Sequence, residues 1–413
     1  ELLMAKKLYE ETDVQAIATA IRQRNGESTS YKLSEMASAI EELKTGDRFV
    51  QTEVPDYVKA AALEVAKKEK AVQTTDSISF IAASDAHQLD ADEYVVNGNK
   101  HASMAMKALG YILPDIDFCC FLGDYTVGNS TTTLAEGRQN FAEINAGLKE
   151  AFADIPQFRT PGERDGLKNS WDQNHESLSS EEIYSYVGKY NEGATYGSTT
   201  EGYCYRDFDE KKLRVFCLNT STIGQNFDNM TSAQLLWFAR KLREVGARTG
   251  WGVVILSHYP LDFTESELSD AASVAGSVLY QYVTGGSFKI TGMTVSFKNC
   301  NKAKIYGAFH GHTHKFKVAK LSDVQESGST EFDVLRIATP NMCYFYNNEF
   351  GQNEGADSNG IEFGEETTYA KTHDTANDTS FVVNVINPTE GKIHSFCYGA
   401  GYDREISIPA TGA

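Results

Sequence analysis

The sequence predicts an α/β layered domain preceded by a small helical N-terminal module. Two observations carry the prediction. From Ser77 onward, short apolar runs alternate with amphipathic stretches of helical period. Five of those runs end abruptly in residues of metal-ligand type: Ile78 to Ala82 before Asp85-Ala86-His87, Phe118 to Leu122 before Gly123-Asp124, Phe158 to Pro161 before Gly162-Glu163-Arg164-Asp165, Val253 to Ser257 before His258, and Ile305 to Ala308 before Phe309-His310-Gly311-His312-Thr313-His314. Loops that leave the carboxyl ends of strands in such sheets meet in space, so the pattern predicts one metal site assembled from five strand ends.

A chain of 413 residues can hold a large core and suggests one big domain plus a smaller one, or two to three modules. Lys and Arg total 38 against 57 Asp and Glu, a net charge of -19, which disfavours nucleic acid as a partner. No apolar stretch is long enough to span a bilayer, and the start Glu1-Leu2-Leu3-Met4 lacks the layout of a signal peptide, so no membrane partner and synthesis in the cytoplasm are expected. The seven cysteines form no CxxC pair, which points to a reduced protein without a disulfide framework.

Taken in order, residues 12–24 open with Thr12-x-x-Gln15, a capping-box pattern, and carry Val14, Ile17, Ala18 and Ile21 at helical spacing before Asn25-Gly26. A second short helix carries Leu33, Met36, Ala37 and Ile40. Residues 1–50 therefore read as a helical module. Residues 51–75 read as a connecting helix, with Val54, Val58, Ala61, Ala62 and Val65 on one face and Lys67, Lys68 and Lys70 near its end. Residues 76–413 read as the main domain. Helices are expected at Lys100 to Leu109, Thr133 to Phe152 and Thr231 to Val245, the last opening with Thr231-x-x-Gln234. Leu213 to Asn219 belongs to the strand set. Beyond His314 the pattern becomes β-rich, with strands near Lys315 to Leu321, Val334 to Ala338, Phe381 to Val385 and Lys392 to Phe396. The polar segment from Asn347 to Asp378 reads as a long surface loop.

Two resemblances arise from these residues. Ala18 to Asn25 followed by Tyr31 to Ile40 looks like a short segment of phage tail and minor structural proteins, covering about thirty residues. It implies a phage or prophage particle, with tail proteins or a phosphate-containing wall polymer as partners and the virion as location. The ordered motifs DxH, GD, GERD, H and GHxH resemble the calcineurin-like metallophosphoesterase superfamily, with its DxH, GD, GNH(D/E), H and GHxH. The match spans residues 76 to 400 or so and implies a four-layer αββα sandwich that hydrolyses phosphomonoesters or phosphodiesters. Carried over residue by residue, it places Asp85, His87, Asp124 and His314 around one divalent ion. Asp124 bridges to a second ion held by His258, His312 and Glu163. Mixed nitrogen and oxygen donors suit Mn, Fe or Zn, and two such ions clamp a phosphate and acidify a water for in-line attack.

The third motif departs from the family. Glu163 stands where the family has Asn, and Arg164 stands where it has the histidine thought to protonate the leaving group. A guanidinium cannot act as a general acid, but it can hold phosphate oxygens bidentately. Catalytic candidates are therefore Arg164, as an electrostatic clamp, and His175, in Asn174-His175-Glu176, as a substitute acid; the plainer reading of His175 is an exposed loop histidine. The departure also raises an alternative function, a metallophosphoesterase-fold tail module with weak or no catalysis. His310 reads as a neighbour that supports the ligands, and His101, His373 and His394 as residues without a site. Asn219 reads as a strand-end turn former. For Tyr125, lining of the phosphate pocket and packing at its rim are both open.

Overall fold

The computed structural model describes residues 54–410, apart from 91, 129–131, 153–154, 167–176, 192, 222–229, 263–270, 315, 326–327, 344–359, 364–366 and 373. The N-terminal helices, the phage-like segment within them and His175 lie outside the described residues.

The described chain begins with α1 (Asp56–Val72), β1 (Ile78–Ala83), α2 (Glu93–Ile112), β2 (Phe118–Leu122), α3 (Leu134–Ala151) and β3 (Gln157–Thr160). It continues with α4 (Ser180–Tyr186), β4 (Thr195–Tyr196), β5 (Cys204–Phe208), β6 (Leu213–Cys217), α5 (Ser232–Gly246), β7 (Gly252–Ser257) and α6 (Ala271–Thr284). The remainder is largely β: β8 (Ser287–Ile290), β9 (Met293–Ser296), β10 (Lys304–His310), β11 (Val318–Gln325), β12 (Gly328–Ala338), β13 (Gly360–Phe363), β14 (Thr367–Ala370), β15 (Ser380–Asn387), β16 (Lys392–Gly399) and β17 (Arg404–Ser407).

Two mixed sheets form the centre. One has the order β17-β16-β15-β1-β2-β3 and the other β11-β12-β10-β7-β6-β5-β4. Side chains alternate across each strand, and β2 shows the result. Phe118, Cys120 and Leu122 face the other sheet with Val254, Leu256, Phe309 and Ile337. Cys119 and Phe121 face outward onto Ala105, Leu109, Phe141 and Leu148 of α2 and α3. On the far side, Phe216, Val253 and Ile255 pack on Phe238, Leu242, Val278 and Leu279 of α5 and α6. The four layers are helix, sheet, sheet and helix, as the sequence led us to expect.

The stretch expected to connect two modules does more than connect. In α1, Val58, Ala62, Val65 and Ala66 recur on one face and enter the outer core beneath α2, β15 and β16. Ser79 of β1 also donates to the buried Glu69 of α1 at 2.6 Å. Helix starts follow local capping chemistry: Thr133 and Glu136 form the reciprocal capping box of α3. At α5 only half of the expected box forms. The Thr231 hydroxyl accepts from Gln234 N–H, while the Gln234 amide side chain instead pairs with the backbone of Asn219 at 2.9 and 2.7 Å.

The loop expected at 347–378 contains the two-stranded β13–β14 hairpin. Ile361, Phe363, Thr367, Thr368 and Tyr369 supply the β-branched and aromatic residues that favour strands, a local signal submerged in the segment's average polarity. Among the described residues, no helix is long and apolar enough to cross a membrane.

Candidate metal centre

The parallel strands of both sheets aim their carboxyl ends at one place. β1, β2 and β3 run parallel in the first sheet, as do β7 and β10 in the second. The loops that follow carry Asp85 and His87, Asp124, Glu163 and Arg164, His258, and His312 and His314. Five of these residues adopt the left-handed backbone region: Asp85 (φ 54°), His87 (42°), Asp124 (56°), His312 (64°) and His314 (52°). Such conformations disfavour residues with a Cβ and concentrate at functional sites.

Backbone pairing holds the loops. Asp85 N–H donates to Gly123 O at 2.9 Å and His87 N–H to Asp124 O at 3.0 Å. The Asp85 carboxylate accepts from His312 N–H at 3.1 Å, linking the first and last motifs. Small residues permit the approach: a Cβ on Gly162 would collide with Asp124 Oδ1, and one on Gly311 would lie 2.7 Å from Asp85 Oδ2 and 2.9 Å from Leu122 O, and closer still to Ser84 Oγ. Gly311→Ala is therefore expected to cost about 1–3 kcal/mol from overpacking and to weaken divalent-ion binding at least tenfold, which calorimetric titration with Mn measures.

All seven expected ligands converge. Asp85, His87 and His314 form one group whose ligand atoms lie within 4.8 Å of one another; Glu163, His258 and His312 form a second, and Asp85, Asp124 and His258 a third that joins them. His87 Nε2 and His314 Nε2 are 3.0 Å apart. His258 Nε2 lies 2.6 Å from Glu163 Oε2, and His312 Nδ1 lies 3.2 Å from Glu163 Oε1. Asp124 sits between the groups: its Oδ2 is 3.7 Å from His87 Nε2 and 3.6 Å from His258 Nε2.

The donor set fits cations. His258 Nδ1–H donates to Leu122 O at 2.6 Å, which turns Nε2 toward the Asp124 and Glu163 carboxylates. Asp124 Oδ2 is buried and accepts no hydrogen bond from the described residues. Imidazole nitrogens and carboxylate oxygens thus crowd one small space, a donor set that suits divalent ions. The electrostatics agree. Burial, then the neighbouring Glu163, pushes the Asp124 carboxyl well above its ordinary range. Burial works against the charge of Glu163 too, but His312 and His258 hold it well below the usual carboxylate value.

His310, by contrast, joins neither group. It is buried, its Nδ1 bonds Gly311 O at 2.8 Å, and burial pulls its pKa down to about 3. Tyr125 is buried against Phe121 and Phe141, at 4.3 and 5.7 Å between rings, and so belongs to the outer core rather than to the pocket. Asn219 donates to Glu201 O and bonds Gln234, a structural role. Arg164 lies at the rim with its side chain 33% exposed and its Nε 3.6 Å from Glu163 Oε1.

No protein-family model matches the chain, and no curated protein sequence matches it. Among solved structures it is similar to a dimetal phosphatase from Danio rerio, at 11% identity over 80% of this chain and 99% of that one, with a TM-score of 0.48. It is also similar to PhoD, at 11% identity over 83% of this chain and 73% of that one, with a TM-score of 0.42.

Sequence reading gave no role to two residues that build the site. Asp165, fully buried, accepts from the backbone N–H groups of Gly162 (2.7 Å), Tyr125 (2.7 Å), Asp124 (3.1 Å) and Thr126 (3.3 Å), and so locks the second motif to the third. Burial nevertheless lifts its pKa to about 7. Lys371 is buried and donates to the carbonyls of Asn341 (2.7 Å), Met342 (3.1 Å) and Cys343 (2.6 Å). That segment in turn gives Met342 N–H to Ser84 O and Cys343 N–H to Asp85 O. Asp165 stood in view within the third motif. Lys371 carried no pattern at all.

Proposed function

We propose that the chain is a metal-dependent phosphoesterase that hydrolyses phosphomonoesters or phosphodiesters. The observation that carries this reading is the Asp124 carboxylate. Its Oδ2, buried without a hydrogen bond from the described residues, faces His87 on one side and His258 on the other, the placement of a bridge between two ion positions. Asp85, His87 and His314 would hold one ion, and Glu163, His258 and His312 the other. Donors of this mixed kind favour Mn, Fe or Zn. When bound, such ions supply Lewis acidity and a water that ionises near neutral pH.

The protein's own groups do the rest. Asp165 and the Asp85–His312 contact fix the loops, so the ligand set is preorganised. The Leu122 carbonyl fixes the tautomer of His258. Arg164 presents a permanent positive charge at the rim, where it binds a phosphate oxygen and stabilises charge that grows during displacement. It donates no proton to the leaving group, so esters with good leaving groups are the preferred substrates. The phage-tail setting, with its tail-protein or wall-polymer partners, rests on residues 18–40 alone, and the phosphoesterase reading stands without it.

Arg164 also motivates the second reading, a metal-binding scaffold with little turnover. One pair of assays separates them. With Mn present, the wild type is expected to hydrolyse a nitrophenyl diester or monoester, and Arg164→His is expected to change the rate by less than about tenfold for that activated leaving group while favouring poorer ones, in line with general-acid catalysis. A silent wild type that Arg164→His awakens would establish the scaffold reading instead.

A further inference from the structure

The most conspicuous polar anomaly outside the metal centre is Arg159 of β3, which is 1% exposed. Its Nη1 donates to Asn145 Oδ1 of α3 at 2.6 Å, and its guanidinium lies 4.1 Å over the ring of Tyr190. No carboxylate pairs with it among the described residues. Among the described residues, its Nε and Nη2 are buried without a hydrogen-bond partner, as are Nδ2 of Asn145 and the hydroxyl of Tyr125. Each of these four atoms can donate, and none has an acceptor. Flipping the Asn145 amide gives no relief, because it would set NH2 against Nη1.

A buried, uncompensated guanidinium is among the costliest arrangements in a fold. Burial pulls the pKa of Arg159 downward, and its charge acts on the neighbouring Tyr125. Water can satisfy donors, but it cannot balance charge. Arg159 also borders a shallow, open cleft walled by Pro161, Ile183, Tyr184 and Val187. Glu201 borders the same cleft but forms no ion pair with Arg159; its carboxylate accepts from the Thr231 hydroxyl at 3.1 Å.

We propose that Arg159, with Asn145 and Tyr125, forms a binding site for a small monovalent anion of halide or nitrate size. The anion supplies both the missing acceptor and the missing charge. Its position matters because Arg159 leads through Thr160 and Pro161 to Gly162 and Glu163, and Tyr125 directly follows Asp124. An anion here braces two of the five loops from beneath. The site is independent of the phosphoesterase reading, since neither metal nor substrate enters it.

Thermal unfolding tests the site in the purified chain, freed of halide and held at constant ionic strength with sodium gluconate. Replacing gluconate with chloride, bromide or nitrate is expected to raise the Tm of the wild type saturably, by about 3 °C. Arg159→Met is expected to lose that response. Asn145→Asp serves as the second variant because it places a carboxylate against Arg159 in place of the anion; it is expected to begin at a higher Tm without halide and to respond to none. Bromide should also appear by anomalous scattering beside Arg159 in crystals grown from bromide. An equal response to gluconate and chloride, or an Asn145→Asp protein that responds as the wild type does, overturns the proposal.

Discussion

Asp124→Asn is expected to abolish paired metal binding and to lower phosphoester hydrolysis by about a thousandfold, the several kcal/mol that metal-ion catalysis supplies. The substitution conserves volume and the Asp124 N–H bond to Asp165, so folding survives. What it removes is the negative oxygen between His87 and His258. Because burial and Glu163 already oppose ionisation of Asp124, the metal-free variant is expected to be at least as stable as the metal-free wild type. The gain in Tm that Mn confers should shrink in the variant. Elemental analysis showing two ions per chain in both proteins would overturn the bridging role.

Asp165→Ala is expected to act in the opposite manner, destabilising the protein with or without metal. It strips the acceptor from four backbone N–H groups that sit out of reach of water. Each stranded donor costs about 1–3 kcal/mol when nothing replaces its partner, and relaxation of the loops recovers part of that. A net loss of about 3–5 kcal/mol follows, read from the denaturant midpoint. Asp165→Asn, which keeps an acceptor oxygen, should recover part of the loss.

Much of this architecture was legible in the residues. The parallel strands are short and buried on both faces, so most of them appear as largely apolar runs, and the residue type at each run's end announced the site. Thr133 and Thr231 marked helix starts because capping is local chemistry. The N-terminal resemblance falls outside the described residues and gains nothing from the fold. What could not be read was long-range. Asp165 owes its role to four N–H groups on two loops. Lys371 owes its role to carbonyls some thirty residues upstream, and its own neighbourhood is polar enough to pass for a loop. Arg159 sits in a short strand pattern as one cation, with nothing in the sequence to show that no carboxylate among the described residues pairs with it.

Five of the seven clustered residues have left-handed backbones, and each such conformation costs on the order of 1–3 kcal/mol. Hydrogen bonds between the loops, among them Asp85 N–H to Gly123 O and His312 N–H to the Asp85 carboxylate, hold the segments that carry them. Under the two-ion reading, loops pinned to one another in this way would leave little room to contract around a small cation or swell around a large one, and calcium, which needs more and longer oxygen contacts, is expected to bind more weakly than Mn in calorimetric titration.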